Sequence, residues 1–324
     1  MSDTQKFIFS ARKGNYERVK YFLEYTDIDP SSRNNEAIKV ASLDGYAEIV
    51  KLLLNDTRVD LSDQDNDAII DASLCGHPEV VKLLQNDTRV DPSDTHNEAI
   101  RLASMDGHYE VVNILINDPR VDPSDNRNEA IRLASRNGHL EVVNILLNDS
   151  RVDPSDIRNE AIRLASRYGH YDVVKLLLGD SRVDPSDKKN KAIRLASDNG
   201  NYKVVKLLLS DFRVDPSDND NVAISFATRN GHMEVIELLL NDFRVDPSDE
   251  KNQAIINASE NGNSEIVKLL LSDSRVVDEH FNTDINTIVK KCQDILIKFQ
   301  KNLSHESFKF HQNMNKSNWP RFLL

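Results

Sequence analysis

The amino-acid sequence predicts an all-α solenoid of about nine 31-residue helix-turn-helix units joined by short finger turns, and three observations carry that prediction. Alanine falls at 37, 68, 99, 130, 161, 192, 223 and 254, each 31 residues after the last, within segments such as NEAIRLAS. Glycine falls at 14, 45, 76, 107, 138, 169, 200, 231 and 262 with the same step, so nine of the ten glycines share one slot. Between these markers the apolar residues follow helical spacing. A fixed period of this length is the mark of a repeat array, in which each repeat buries its apolar faces against its neighbours.

The stretch from Asp125 to Asp156 shows how one repeat is built. Ala130, Ile131, Leu133 and Ala134 stand at i, i+1, i+3 and i+4, on one face of a short helix. Asn128, with equivalents at 35, 66, 97, 159, 190, 221 and 252, is placed to be its N-cap. Gly138 ends the helix where a left-handed residue is needed. Val142, Val143, Ile145, Leu146 and Leu147 then give the second helix the wider apolar face, and this helix is expected to be the more buried. Asp153-Pro154-Ser155-Asp156 reads as a type I turn, with Asp first and Pro presetting the second position. Helices this short are marginal alone in water, so stacking must hold them.

These residues carry a resemblance. GHLEVVNILL, from Gly138 to Leu147, is similar to the Gly-His-x-Glu-Val-Val-x-x-Leu-Leu signature of the ankyrin repeat, and AIRLAS stands where that family has Pro-Leu-His-Leu-Ala-Ala. The match covers roughly residues 7 to 277 and recurs nine times. It implies a concave repeat surface that binds a protein partner. It also implies turn hydrogen bonds for His77, His108, His139, His170 and His232, which follow the glycines. The period departs from the family's usual 33, and Glu-Ala-Ile-Arg replaces its Thr-Pro-Leu-His opening, which points to shortened fingers. The wording RVDPSDxxNEAIRLASxNGH resembles the ankyrin proteins encoded in large families by giant viruses of amoebae.

The ends differ from the middle. Residues 1–277 are read as the array, opening with Phe7, Ile8 and Phe9 as a terminal cap. Residues 278–302 are read as an amphipathic capping helix, with Ile285, Ile288, Val289, Cys292, Leu296 and Phe299 on one face. Residues 303–324 form a polar and aromatic tail holding the only tryptophan, Trp319. That tail suggests an alternative role as a ubiquitin-ligase substrate adaptor, although it lacks a Leu-Pro-x-Glu opening. A structural component of a particle is a further alternative.

Composition narrows the function classes. The formal charge of -12 argues against general nucleic-acid binding. Two cysteines far apart offer no disulfide framework, and no apolar run approaches the length of a signal peptide or membrane span. An intracellular, cytoplasmic monomer is expected, in the host cell if the protein is viral. Cys75 beside His77 lacks further ligands at zinc spacing, and no catalytic constellation or phosphate loop stands outside the repeat register. No enzyme activity, metal or cofactor is therefore expected.

Charge recurs in two patterns. Eight arginines, from Arg58 to Arg275, precede the fingers beside aspartates such as Asp149 and Asp153 and read as a structural ladder. Glu129 and Glu160 stand three residues before Arg132 and Arg163, the spacing of a helical ion pair. Recognition should lie where repeats vary, in the two positions before each Asn-x-Ala and before each glycine. At the centre of the chain these positions hold Arg127, Arg136, Arg158, Arg167, Lys188 and Lys189, with Arg132, Arg163 and Arg194 behind them. This basic stripe is expected to face an acidic segment of a protein partner.

Overall fold

A computed structural model describes residues 1–59, 61 and 66–276; the expected capping helix and tail lie outside the described residues. The described residues form eighteen helices in pairs and no strand. They fall into two compact units, Met1–Lys188 and one beginning at Lys189. Within the first unit, the helix Asp125–Asn137 packs on the first helices of both neighbouring repeats and on its own partner, Leu140–Leu147. At the N-terminus Phe7 and Ile8 are buried, with Phe7 edge-on to the Phe22 ring, while Phe9 is half exposed.

The two helices of a repeat share the burial, and neither is clearly the more buried. The first helix buries Asn128, Ala130, Ile131, Ala134 and Ser135, whereas the second buries Val142, Val143 and Leu146, and Leu133, Ile145 and Leu147 are only partly covered. Both helices meet others on three sides, and the first makes the more extensive approach to its neighbours. Small residues at 130, 134 and 135 permit that close approach.

The turn before the first helix also differs from the reading of the chain. Asn126, Arg127 and Asn128 are all left-handed, with φ of 49°, 61° and 57°, and the right-handed helix begins after them. The same triplet recurs at 95–97, 157–159, 188–190 and 219–221. Left-handed geometry costs an ordinary residue about 1–2 kcal/mol, so something must hold it. The holder is the third residue. Asn128 is 6% exposed; its Oδ1 accepts the Asp153 backbone N–H at 2.7 Å and its Nδ2 donates to Asp156 Oδ2 at 3.0 Å. The expected N-cap is therefore an inter-repeat bridge. An N-cap needs an extended backbone to fold its side chain onto its own helix, and the left-handed turn sends this amide to the next repeat instead. Asparagine suits the place because it tolerates left-handed backbone and both donates and accepts.

The finger is the predicted type I turn: Asp156 N–H donates to Asp153 O at 3.3 Å, and Ser155 sits at φ -88°, ψ -6°. Asp153 accepts from both the backbone N–H and the hydroxyl of Ser155. It is thus not the partner of Arg151. That guanidinium grips Asp149 through two bonds, 2.9 and 2.6 Å, and reaches back to Val121 O and Ile116 O at 2.8 and 3.0 Å. The arginine ladder is structural, and it closes orphan carbonyls at the end of the preceding repeat's second helix.

Glycine carries two constraints at once. Gly138 has φ +81°, and a β-carbon there would lie 2.5 Å from His170 Nδ1. The ring is fixed because its Nε2 bonds Arg136 O at 2.9 Å. The histidines thus bond across repeats, each one filling the space above the preceding glycine.

Three outcomes follow from this architecture. Gly138→Ala should destabilise by about 1–2 kcal/mol through backbone strain alone. Part of any additional loss, about 1 kcal/mol, should disappear in a His170→Ala background; additive effects in the double-mutant cycle would remove the ring contact as a cause. Ile157 is a β-branched residue at φ 49°, so Ile157→Asn should raise stability by about 1 kcal/mol in a denaturant titration, and a loss would show that the triplet is not strained.

The third outcome concerns acid. Hydrogen bonds from arginine hold the carboxyls of Asp118, Asp149 and Asp180, and of Asp211, Asp242 and Asp273, below the ordinary aspartate value. A folded value below the unfolded one adds stability above the unfolded pKa of about 3.9, and that stability is lost as pH falls through the folded values. The denaturation midpoint should hold from pH 7 to 5 and fall below pH 4, and less steeply in Asp149→Asn. An identical acid slope in wild type and variant would detach the ladder from stability.

Candidate functional site

Most of the repeat is committed to holding itself together, and the exposed variable side chains are what remain. In the first unit Arg127 and Arg158 occupy the middle of the left-handed turns, and Lys188 opens the corresponding turn of the next repeat. All three are exposed. Arg127 stands 3.8 Å from Asp156 Oδ1 with its side chain 69% exposed, a loose surface pairing of little energetic weight. Lys189, also exposed and left-handed, begins the second unit.

Arg136 and Arg167 occupy a different place. Each ends a first helix, nine residues beyond the turn arginine, so about 13 Å separates the two sets along the helix. There the structure brings together residues the repeat period hides. Both guanidinium carbons lie near the exposed Tyr168 ring, at 5.6 and 5.7 Å from its centroid, within cation–π range. Arg136 and Tyr168 are one repeat plus one residue apart, an offset that a register search overlooks.

The arginines behind the stripe pair across repeats rather than within a helix. Arg132 Nη1 bonds Glu160 of the following repeat, and Arg101 Nη1 bonds Glu129 likewise. The i, i+3 pairing of Glu129 with Arg132 does not form, because the left-handed turn places the following repeat's glutamate against the arginine. Nε of Arg132 meanwhile donates to Arg127 O at 3.1 Å. The inner arginine thereby secures the turn that presents the outer one.

The second unit offers an apolar feature that sequence reading missed. Phe212 and Phe243 are 93% and 90% exposed, where other repeats carry Thr57, Thr88, Pro119, Ser150, Ser181 and Ser274. Departure from small residues at one slot was the available signal.

Among the described residues no group of three or more His, Cys, Asp and Glu side chains is placed to hold a metal ion, and no helix is long and apolar enough to cross a membrane. No curated protein is matched by the chain. The family model for ankyrin repeats in three copies matches residues 7–96, 69–158, 100–189, 152–220 and 192–284. Those matches overlap from residue 7 to residue 284, each repeat is a helix-turn-helix, and the chain belongs to the ankyrin repeat family, whose members generally mediate protein–protein interaction and are typically not enzymes.

Proposed function

We propose that the chain is a non-enzymatic protein-interaction module whose partner presents an acidic segment to the basic side chains of the first unit. The observation that carries this reading is where the variation falls. Asn128, Gly138, Arg151 and Asp149 recur because each bonds a neighbour or meets a backbone constraint, whereas Arg127, Arg136 and Arg158 project to solvent with no comparable structural task. Cations gathered on a chain of net charge -12 create a local field opposite to the molecule's own. Such a field steers an acidic partner and repels a basic one. The wording of the repeat supports a narrower kinship with ankyrin proteins of giant viruses of amoebae, and with it an address in the host-cell cytoplasm.

The test uses amoebal cytosol as the source of partner. After capture and identification, the partner's association rate should fall by about tenfold or more at low salt when Arg127, Arg158 and Lys188 are reversed to Glu, and the loss should shrink at high salt. An unchanged rate and affinity in a variant with the wild-type thermal melt would remove these residues from the interaction surface.

A further inference from the structure

One slot of the repeat gives up a structural bond for an exposed ring. The residue before the turn glycine is asparagine at 137, 199, 230 and 261. Asn137 Nδ2 bonds Met105 O at 2.7 Å, and Asn230 and Asn261 bond Asp198 O and Arg229 O in the same way. Met105 O thus receives two side-chain donors, from Asn137 and from His139 Nε2. Tyr168 stands where the next repeat would have that asparagine. The carbonyl it would serve is Arg136 O, which keeps the bond from His170 Nε2 alone of the pair. The ring itself is 45% exposed.

What surrounds the ring is charged and accessible. Arg136 and Arg167 are both exposed, with their guanidinium carbons 5.6 and 5.7 Å from the Tyr168 centroid. The His170 ring, tied to Arg136 O, lies 6.5 Å away and helps to fix the place of the phenol. All four residues belong to the first unit. Among the described residues the Arg136 guanidinium has the Tyr168 ring for a partner and no carboxylate. A cation on the face of a ring is held by the ring's quadrupole, and that contact takes up none of its N–H donors. Arg132, one turn back, commits its donors to Glu160 and to Arg127 O. Arg136 is oriented by a contact that leaves its donors for an incoming anion.

We propose that Tyr168 is the positioning residue of an acid-binding patch, in which its ring holds Arg136 and Arg167 ready for the carboxylates of an extended acidic segment of a protein partner. The patch rests on the protein-binding reading above and adds to it a defined contact at the end of the first helix. In an extended segment alternate side chains face one way, about 7 Å apart, so two of them can each meet one of the guanidiniums that share the ring. A protein segment is favoured over a nucleic acid. A dense polyanion meets the repulsion of a chain with net charge -12, whereas a few carboxylates respond mainly to the cations nearest them.

The experiment uses the full chain and a fluorescein-labelled decapeptide alternating Glu with Gly, followed by anisotropy at low salt. Tyr168→Asn changes no charge and restores the residue that bonds the carbonyl in other repeats, so it should melt no lower than wild type. It should nevertheless bind the peptide about fivefold more weakly, the effect of losing two surface cation–π contacts. Tyr168→Phe keeps the ring and should bind as wild type does. Arg136→Gln should weaken the peptide clearly less in the Tyr168→Asn background than in wild type, because the ring is what readies the arginine. Full affinity in Tyr168→Asn would overturn the patch, as would a lower melt of that variant or an equal loss in Tyr168→Phe. Failure of wild type to bind the peptide, or tighter binding of a ten-residue oligothymidylate, would overturn it too. If reversal of Arg127, Arg158 and Lys188 slows the partner captured from cytosol while Tyr168→Asn binds it at full strength, the protein-binding reading stands and this patch alone falls.

Discussion

A single buried asparagine amide fixes the geometry of the repeat. Asn128 reaches the backbone of Asp153 and the side chain of Asp156, and Asn66, Asn97, Asn159, Asn190 and Asn221 make the equivalent pair of bonds. Both bonds depend on a left-handed backbone that few residues accept. In return they satisfy an amide that would otherwise be costly to bury. Their partners lie 25 and 28 residues ahead, so within each unit the bond itself sets the spacing. The glycine under each histidine and the arginine gripping each aspartate fall into step with it.

That constraint also decides where recognition can occur. A side chain that bridges repeats cannot vary without loosening the stack, so diversity is confined to the first two residues of the left-handed turn and the last residues of the first helix. The turn is an unusual place for arginine, and its cost in backbone strain is met by the asparagine beside it and by the inner arginine bonding its carbonyl. Scaffold and surface are therefore coupled. Arg132 secures the turn that carries Arg127, and Arg163 does the same for Arg158.

The period, the helix pairs, the type I finger and the left-handed glycine were legible because each depends on chemistry within a few residues of itself. What could not be read depends on neighbours one repeat away. Asn128 has the residue type and position of an N-cap, and nothing local says that its backbone turns the other way. Glu129 and Arg132 have the spacing of a helical pair, yet the glutamate serves Arg101. The apolar count favoured the second helix as the more buried, whereas the alanines and Ser135 give the first helix an equal share of burial through close approach to its neighbours. For the candidate site, variability located the basic residues, but their division between two ends of the first helix, and the gathering of Arg136 and Arg167 around Tyr168, required coordinates.

The reach of the ties has an evolutionary consequence. Every side-chain bond between repeats described above spans 25 to 35 residues, so a repeat knows only its immediate neighbours. Duplicating or excising a segment of one period restores at the junction the asparagine and arginine that recur in every repeat. Recombination between copies can therefore lengthen or shorten the array while keeping those ties at the seam. Each event also brings a different pair of exposed turn residues next to one another, so new surfaces can arise faster than point substitution alone would allow.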